Sequence, residues 1–171
     1  MSNKTVVIFS GGLDSTTLLW HLKASGDQLK AVSFDYGQRH RKELIQAERL
    51  AATLGVEHKT INLSTIKPLL AGSSQTDDSV EVPEGNYDEE SMRKTVVPNR
   101  NLIMLSVAAA WAISLKFDYV ATAVHAGDHA VYPDCRLPFI QSAEATFKLA
   151  DWHPVGIKAP FVLMSKTEIA A

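Results

Sequence analysis

The segment SGGLDS at residues 10–15 places glycines, hydroxyl groups and a carboxylate directly after a short apolar run. A glycine-rich turn between a strand and a helix exposes backbone N–H groups at the helix end whose dipole attracts anions. The segment therefore predicts a phosphate site. It lacks the lysine of a Walker A loop and the GxGxxG spacing of a dinucleotide-binding turn, so neither of those sites is predicted.

The carboxylate of Asp14 indicates that a cation also binds at the predicted phosphate site. A carboxylate beside a polyphosphate repels it unless a cation lies between them, so Asp14 is expected to ligate Mg²⁺. Hydroxyl groups in the same segment can donate hydrogen bonds to phosphate oxygens. The alternative interpretation is an ordinary glycine turn in which Asp14 or Ser15 caps the following helix.

The elements that must position this loop alternate along the chain. Short apolar runs rich in β-branched residues predict strands, and apolar residues spaced three and four apart predict helices. The predicted strands are 6–9, 29–34, 57–63, 119–123 and 157–163, and the predicted helices are 15–23, 42–54, 101–115 and 138–149. This alternation predicts an α/β fold with a doubly wound, five-stranded parallel sheet. Ligands of such sheets bind at the carboxyl ends of the strands, where the polar segments lie.

Composition limits the classes of function. A length of 171 residues predicts one domain, 1–171, interrupted by a long acidic segment at about 64–98. The net charge of -2 argues against a nucleic-acid partner that relies on a basic surface. The single cysteine excludes an internal disulfide and favours the cytoplasm. Neither a signal peptide nor a membrane-spanning run is expected.

The phosphate loop resembles the SGGxDS motif of the ATP-pyrophosphatase (PP-loop) superfamily. Four further segments, FDYGQRHRKEL, VVPNRN, HAGDHAVYPDCR and KAPFVLMSKTEI, occur in the order found in the 7-cyano-7-deazaguanine synthase family of queuosine biosynthesis. The resemblance runs from Val6 to Ile169. It implies an adenine nucleotide α-hydrolase-like fold and an ATP-dependent carbon–nitrogen ligase that uses ATP and Mg²⁺.

The family's reaction converts 7-carboxy-7-deazaguanine and ammonia to a nitrile. Adenylation gives the carboxylate a good leaving group, ammonia then forms the amide, and a second adenylation lets the amide lose its oxygen. AMP and pyrophosphate are the expected by-products. The protein must position two anions and offset their charge, a task assigned to Arg100 and Lys166 together with Asp14 and Ser15. The alternative for Arg100 and Lys166 is a solvated surface charge.

The resemblance also implies the remaining contacts. Tyr36 and Gln38 are expected to bind the adenosine half of ATP, although a helix start is the alternative for this segment. The nucleotide is expected to contact Phe9, Ser10, Gly11, Gly12, Leu13, Asp14, Ser15, Thr16, Thr17, Leu18 and Leu19.

The substrate is expected to lie against His125, Asp128, His129, Tyr132 and Asp134. The two aspartates suit the deazaguanine edge because a carboxylate accepts two parallel hydrogen bonds. The histidines are expected to shuttle protons. A metal site built from these residues is the alternative interpretation.

One departure from the family concerns zinc. Members are expected to carry a tail with four cysteines that bind zinc, whereas Cys135 is the sole cysteine here and is expected to be packed rather than nucleophilic. Ser165–Glu168 has the pattern of a capping box, a helix start close to the last residue. The C-terminal zinc-binding part is therefore predicted to be absent, and the chain to be a truncated form. Such a form is expected to be poorly soluble or oligomeric, to hold no stoichiometric zinc, and to convert substrate to the nitrile slowly or not at all.

The rival interpretations are a truncated ATP-binding remnant, another PP-loop adenylating enzyme that modifies tRNA or forms amides, and a non-catalytic nucleotide-binding module. The intact SGGxDS loop argues against the last of these. The expected partners are small molecules, with no nucleic acid, no membrane and a possible homodimer.

Overall fold

The structure is a computed structural model that describes residues 2–36, 42–70, 72–74 and 95–171. The strands are β1 (Lys4–Ile8), β2 (Gln28–Asp35), β3 (Glu57–Asn62), β4 (Tyr119–Ala121) and β5 (Gly156–Lys158). The α-helices are α1 (Leu13–Ala24), α2 (Lys42–Thr53), α3 (Arg100–Leu115), α4 (Leu137–Leu149) and α5 (Lys166–Ala170). Three short 3-10 segments cover Ser64–Leu70, Ala126–Asp128 and Pro133–Cys135.

All five strands form one parallel sheet in the order β3-β2-β1-β4-β5, which confirms the predicted fold class. The chain moves outward from β1 through β2 to β3, then returns to pair β4 with the other side of β1. In this register Val7 lies beside Ala31 on β2 and Ala121 on β4. The order reverses between β1 and β4, and such a switch point opens a crevice at the carboxyl ends of the strands.

The two faces of the sheet carry separate hydrophobic layers because successive strand residues point to opposite sides. Val6, Val32 and Val120 pack with α3 and α4 on one face. Val7 and Ala31 pack with α1 and α2 on the other, where Leu18, Leu19, Leu22, Ala47 and Ala51 are buried. Helices therefore cover both faces, as the doubly wound prediction requires.

The prediction of a strand at 157–163 was wrong in its extent. Strand β5 ends at Lys158, and Pro160 has no N–H to continue the ladder. Residues 160–163 instead form a turn, in which the N–H of Val162 donates to Ala159 O at 3.2 Å and the N–H of Met164 to Phe161 O at 2.8 Å. This turn buries Phe161 in the layer formed with α1 and α2.

Helix α5 begins with the predicted capping box. The Ser165 hydroxyl accepts the N–H of Glu168 at 3.3 Å, and the Glu168 carboxylate accepts the N–H of Ser165 at 2.7 Å. The hydrogen bonds that this carboxylate accepts from the N–H and the hydroxyl of Ser165 lower the pKa of the Glu168 carboxyl. Ile169 is buried beside α1, so this short helix closes one side of the hydrophobic layer.

Much of the acidic segment at 64–98 lies outside the described residues. Its beginning, Ser64–Leu70, is a 3-10 segment, and its end leads into α3. Across the described ranges, no helix combines the length and hydropathy needed to cross a membrane.

Candidate active site

The loop after β1 is closely packed against α2. Gly11 has φ +82°, and a Cβ atom added there would lie 2.7 Å from the carbonyl oxygen of Glu43 and 2.9 Å from the nitrogen of Ala47. Both the backbone conformation and the close approach therefore require glycine. The N-cap of α1 is Gly12, without a side-chain cap, so the alternative in which Asp14 or Ser15 caps this helix is wrong.

Hydroxyl groups of the loop hold its own backbone. Ser15 Oγ donates to Gly12 O at 3.1 Å and accepts the N–H of Ser10 at 3.3 Å. Ser10 Oγ lies 3.1 Å from Ser15 Oγ and accepts the N–H of Gly12 at 3.3 Å. Ser15 is buried, so its first role is to fix the shape of the loop.

The two oxygens of the Asp14 carboxylate differ in their polar partners. Oδ2 lies 3.6 Å from His125 Nε2 and 3.7 Å from Lys166 Nζ. Oδ1 is buried and has no hydrogen-bond partner. A buried carboxylate oxygen without a partner is unfavourable, and a hard cation beside it removes that cost. The donor chemistry of Asp14 therefore fits Mg²⁺.

A cavity of about 490 Å³ opens beside this carboxylate at the carboxyl ends of β1, β2 and β4. Its volume is in the range of sites that hold nucleotide-sized ligands. The predicted residues that line it are Phe9, Ser10, Gly12, Asp14, Ser15, Tyr36, Arg100 and Asp128. The structure thus brings together residues from all the polar segments that follow the first, second and fourth strands.

Arg100 brings positive charge to the wall of this cavity. Burial disfavours the charged form of the guanidinium. Its interactions with Tyr36, which include a hydrogen bond, and with Asp134 and Tyr132 outweigh this effect and raise the pKa of Arg100 above its usual value. The guanidinium also lies over the Tyr132 ring, 5.8 Å from its centroid. It therefore stays protonated and is available to offset anionic charge.

The aspartate predicted to bind substrate at 134 has a structural partner. Asp134 Oδ2 accepts the N–H of Asn101 at 3.2 Å, in the first turn of α3. Asn101 Nδ2 donates back to Asp134 O at 3.2 Å and lies 3.3 Å from Cys135 Sγ. This network holds the 3-10 turn Pro133–Cys135 against the start of α3, and so positions Arg100.

Cys135 is buried, as predicted. Burial, with the negative charges of Asp128 and Asp134, raises the pKa of its thiol to about 12. The thiol is therefore protonated at neutral pH, whereas the nucleophile would be the thiolate.

Several predicted residues are not among those that line the described cavity. Leu18 and Leu19 are fully buried in the core, so their side chains support α1 from behind rather than meet a ligand. The Tyr132 hydroxyl lies 2.7 Å from the Thr95 hydroxyl. The other predicted residues that do not line this wall are Gly11, Leu13, Thr16, Thr17, His125, His129, Tyr132, Asp134 and Lys166. Gln38 lies outside the described residues, so its prediction stays open.

Cavity residues were also missed by the sequence analysis. They include Asn101 and Met104 on α3 and the segment 122–124 after β4. The sequence analysis placed residues 122 and 123 inside the predicted strand 119–123, whereas β4 ends at Ala121 and the residues after it line the cavity. Within the described ranges, no three His, Cys, Asp or Glu side chains are grouped so that they could hold a metal by themselves.

Comparison with known proteins gives the family. The model of the queuosine biosynthesis protein QueC matches residues 4–171. The 7-cyano-7-deazaguanine synthase of Hahella chejuensis is 51% identical over 167 residues, which cover 98% of this chain and 72% of the relative. The 7-cyano-7-deazaguanine synthase 1 of Colwellia psychrerythraea is 50% identical over 171 residues, which cover 100% of this chain and 78% of the relative.

Solved structures share the fold at lower identity. A predicted subunit of a tRNA methyltransferase from Methanocaldococcus jannaschii superposes with a TM-score of 0.62 at 20% identity, covering 98% of this chain and 72% of that one. An NMN synthetase from Francisella tularensis gives 0.56 at 15% identity, with coverages of 98% and 59%. The chain therefore shares its fold with these structures, and the family match over residues 4–171 shows that it belongs to the QueC family of queuosine biosynthesis proteins.

Proposed function

We propose that this chain is an ATP-using synthase that converts 7-carboxy-7-deazaguanine and ammonia to 7-cyano-7-deazaguanine. The observation that carries the proposal is the cavity in which the Asp14 carboxylate of the SGGLDS loop and the Arg100 guanidinium share one wall. Relatives about half identical over nearly the whole chain bear the name of that synthase, which supports the choice of substrate.

The proposed chemistry uses two adenylations. In the first, a carboxylate oxygen of the substrate attacks the α-phosphorus of ATP, and pyrophosphate leaves. Ammonia then attacks the activated carbon, AMP departs with that oxygen, and a proton is lost to give the amide. In the second, the amide oxygen attacks the α-phosphorus of another ATP, pyrophosphate leaves, and the amide nitrogen loses a proton. AMP then departs with that oxygen as the nitrogen loses its remaining proton, which leaves the nitrile.

The protein's share of this chemistry is positioning and charge. The backbone N–H groups of the SGGLDS loop and the start of α1 would bind the pyrophosphate end of ATP. Asp14 would hold Mg²⁺, which supplies positive charge at the phosphate oxygens when bound. Arg100 would offset charge on the transferred phosphate or on the substrate carboxylate.

An isotope experiment tests the reaction and its route together. The protein is incubated with ATP, ammonium and 7-carboxy-7-deazaguanine labelled with ¹⁸O in both carboxylate oxygens, and the products are analysed by mass spectrometry. We expect the nitrile, with one ¹⁸O in each AMP formed. Label in inorganic phosphate with ADP as the product would refute adenylation, and nucleotide turnover without nitrile would refute the proposed substrate.

A further inference from the structure

His125 occupies a position that the proposed reaction does not use directly. It is 5% exposed and is absent from the residues that line the described cavity. Its ring lies between two carboxylates, since Nε2 is 3.6 Å from Asp14 Oδ2 and 3.6 Å from Asp128 Oδ2. The histidine therefore links the phosphate loop after β1 to the turn after β4.

The other ring nitrogen fixes the orientation of this histidine. Nδ1 accepts the N–H of Gly127 at 3.1 Å. Because Nδ1 is the acceptor, the tautomer that fits has its proton on Nε2, which faces the two carboxylates. A Cβ atom at Gly127 would lie 3.0 Å from both Nδ1 and Cε1, so a larger residue there would crowd the ring and shift it slightly.

The turn that carries this histidine is itself held in place. The N–H of Ala126 donates to Met164 O at 2.9 Å, and the N–H of Asp128 to His125 O at 3.1 Å. The first of these bonds attaches the turn to the segment that leads into α5, and the second lies within the turn. Lys166, at the start of α5, lies 3.7 Å from the same oxygen of Asp14.

We infer that His125 is a positioning residue that holds the Asp14 carboxylate in the orientation needed to bind the nucleotide's divalent cation. This inference rests on the proposed use of Asp14 as a Mg²⁺ ligand. Residues that orient a metal ligand through a second contact commonly change metal affinity by about 10–100-fold when they are removed. The expected role differs from proton shuttling, which would alter turnover and leave nucleotide binding unchanged.

Calorimetry with a non-hydrolysable ATP analogue tests the inference without measuring activity. Binding is measured in excess Mg²⁺ and in EDTA for the wild-type chain and for His125→Phe, which keeps a planar ring but removes both nitrogens. We expect the Kd in Mg²⁺ to rise by about tenfold and the Kd in EDTA to stay unchanged. His125→Gln can place an N–H donor near the position of Nε2 and should recover most of the affinity.

Two further variants separate positioning from folding. Gly127→Ala keeps every side chain of the site but crowds the His125 ring, so it should weaken binding in Mg²⁺ in the same direction. It carries the test if His125→Phe does not fold. His153→Phe is the matched control, because that imidazole bonds Phe117 O at 2.8 Å outside the cavity. Its Kd should equal that of the wild type.

The result that overturns the inference is an unchanged Kd in Mg²⁺ for folded His125→Phe and Gly127→Ala. Asp14→Ala tells this failure from a failure of the proposed function. If Asp14→Ala loses its Mg²⁺-dependent affinity while the histidine and glycine variants keep theirs, only the positioning role is refuted. If Asp14→Ala also keeps its affinity, the assignment of Asp14 as the Mg²⁺ ligand is refuted.

Discussion

Replacing Gly11 with alanine should destabilise the protein by a predictable amount. The residue has φ +82°, and left-handed backbone costs a residue with a Cβ atom about 1 kcal/mol. The new methyl group would also lie 2.7 Å from Glu43 O and 2.9 Å from the nitrogen of Ala47. Because both are backbone atoms, they cannot rotate away, and overpacking of this kind adds about 1–3 kcal/mol.

Gly26 offers a matched control in the same chain. Its φ is +85°, but a Cβ atom added there would meet nothing within 4 Å. Gly26→Ala should therefore cost about 1 kcal/mol from backbone strain alone. The difference between the two variants isolates the close approach between the phosphate loop and α2.

Urea unfolding followed by circular dichroism measures both free energies. We expect Gly11→Ala to lose about 2–4 kcal/mol, which corresponds to a fall in Tm of roughly 5–15 °C for a chain of this size. The ATP analogue should also bind Gly11→Ala more weakly than Gly26→Ala. Equal free energies of unfolding for the two variants would refute the packing of the loop on α2.

Three other predictions test the site and its support. Burial raises the thiol pKa of Cys135 to about 12, so this residue should resist iodoacetamide at pH 8 and react once urea unfolds the chain. Labelling of the folded protein would contradict this prediction. Lys158→Met should cost about 3 kcal/mol, because it leaves the buried carboxylate of Asp27 without its cation. Lys30→Met, which breaks a pair with a half-exposed glutamate, should cost less than about 1 kcal/mol in the same unfolding assay. Asp14→Ala should abolish pyrophosphate release, and release at the wild-type rate would remove Asp14 from the mechanism.

The sequence was sufficient to predict the sheet because its signals are local. The apolar run before Gly11 and the apolar spacing of Ala47 and Ala51 each depend on a few neighbouring residues. Parallel pairing then follows from the alternation of strands and helices. The same reasoning placed the polar segments at one edge of the sheet, where Asp14, Tyr36 and Asp128 line one cavity.

The features of the site and the fold that could not be predicted from the sequence depend on contacts between distant segments. The sequence predicts that Asp134 binds the substrate edge, but it does not show that this carboxylate also accepts the N–H of Asn101. The contact between His125 and Asp14 requires the 3-10 turn that follows β4, and its backbone geometry has no periodic signal. The end of β5 was misplaced because the apolar residues after Lys158 form a turn that buries Phe161.

The pairing of β1 with β4 also determines when the cavity beside the loop after β1 can first be complete. At the near ends of these strands, the N–H of Lys4 donates to the Asp118 carboxylate at 2.9 Å, across 114 residues of chain. At about 5–20 residues per second, a ribosome needs roughly 6–23 s to synthesise that stretch. During this time the loop after β1 exists without the opposite wall of the cavity, so the complete cavity can form only at a late stage of folding.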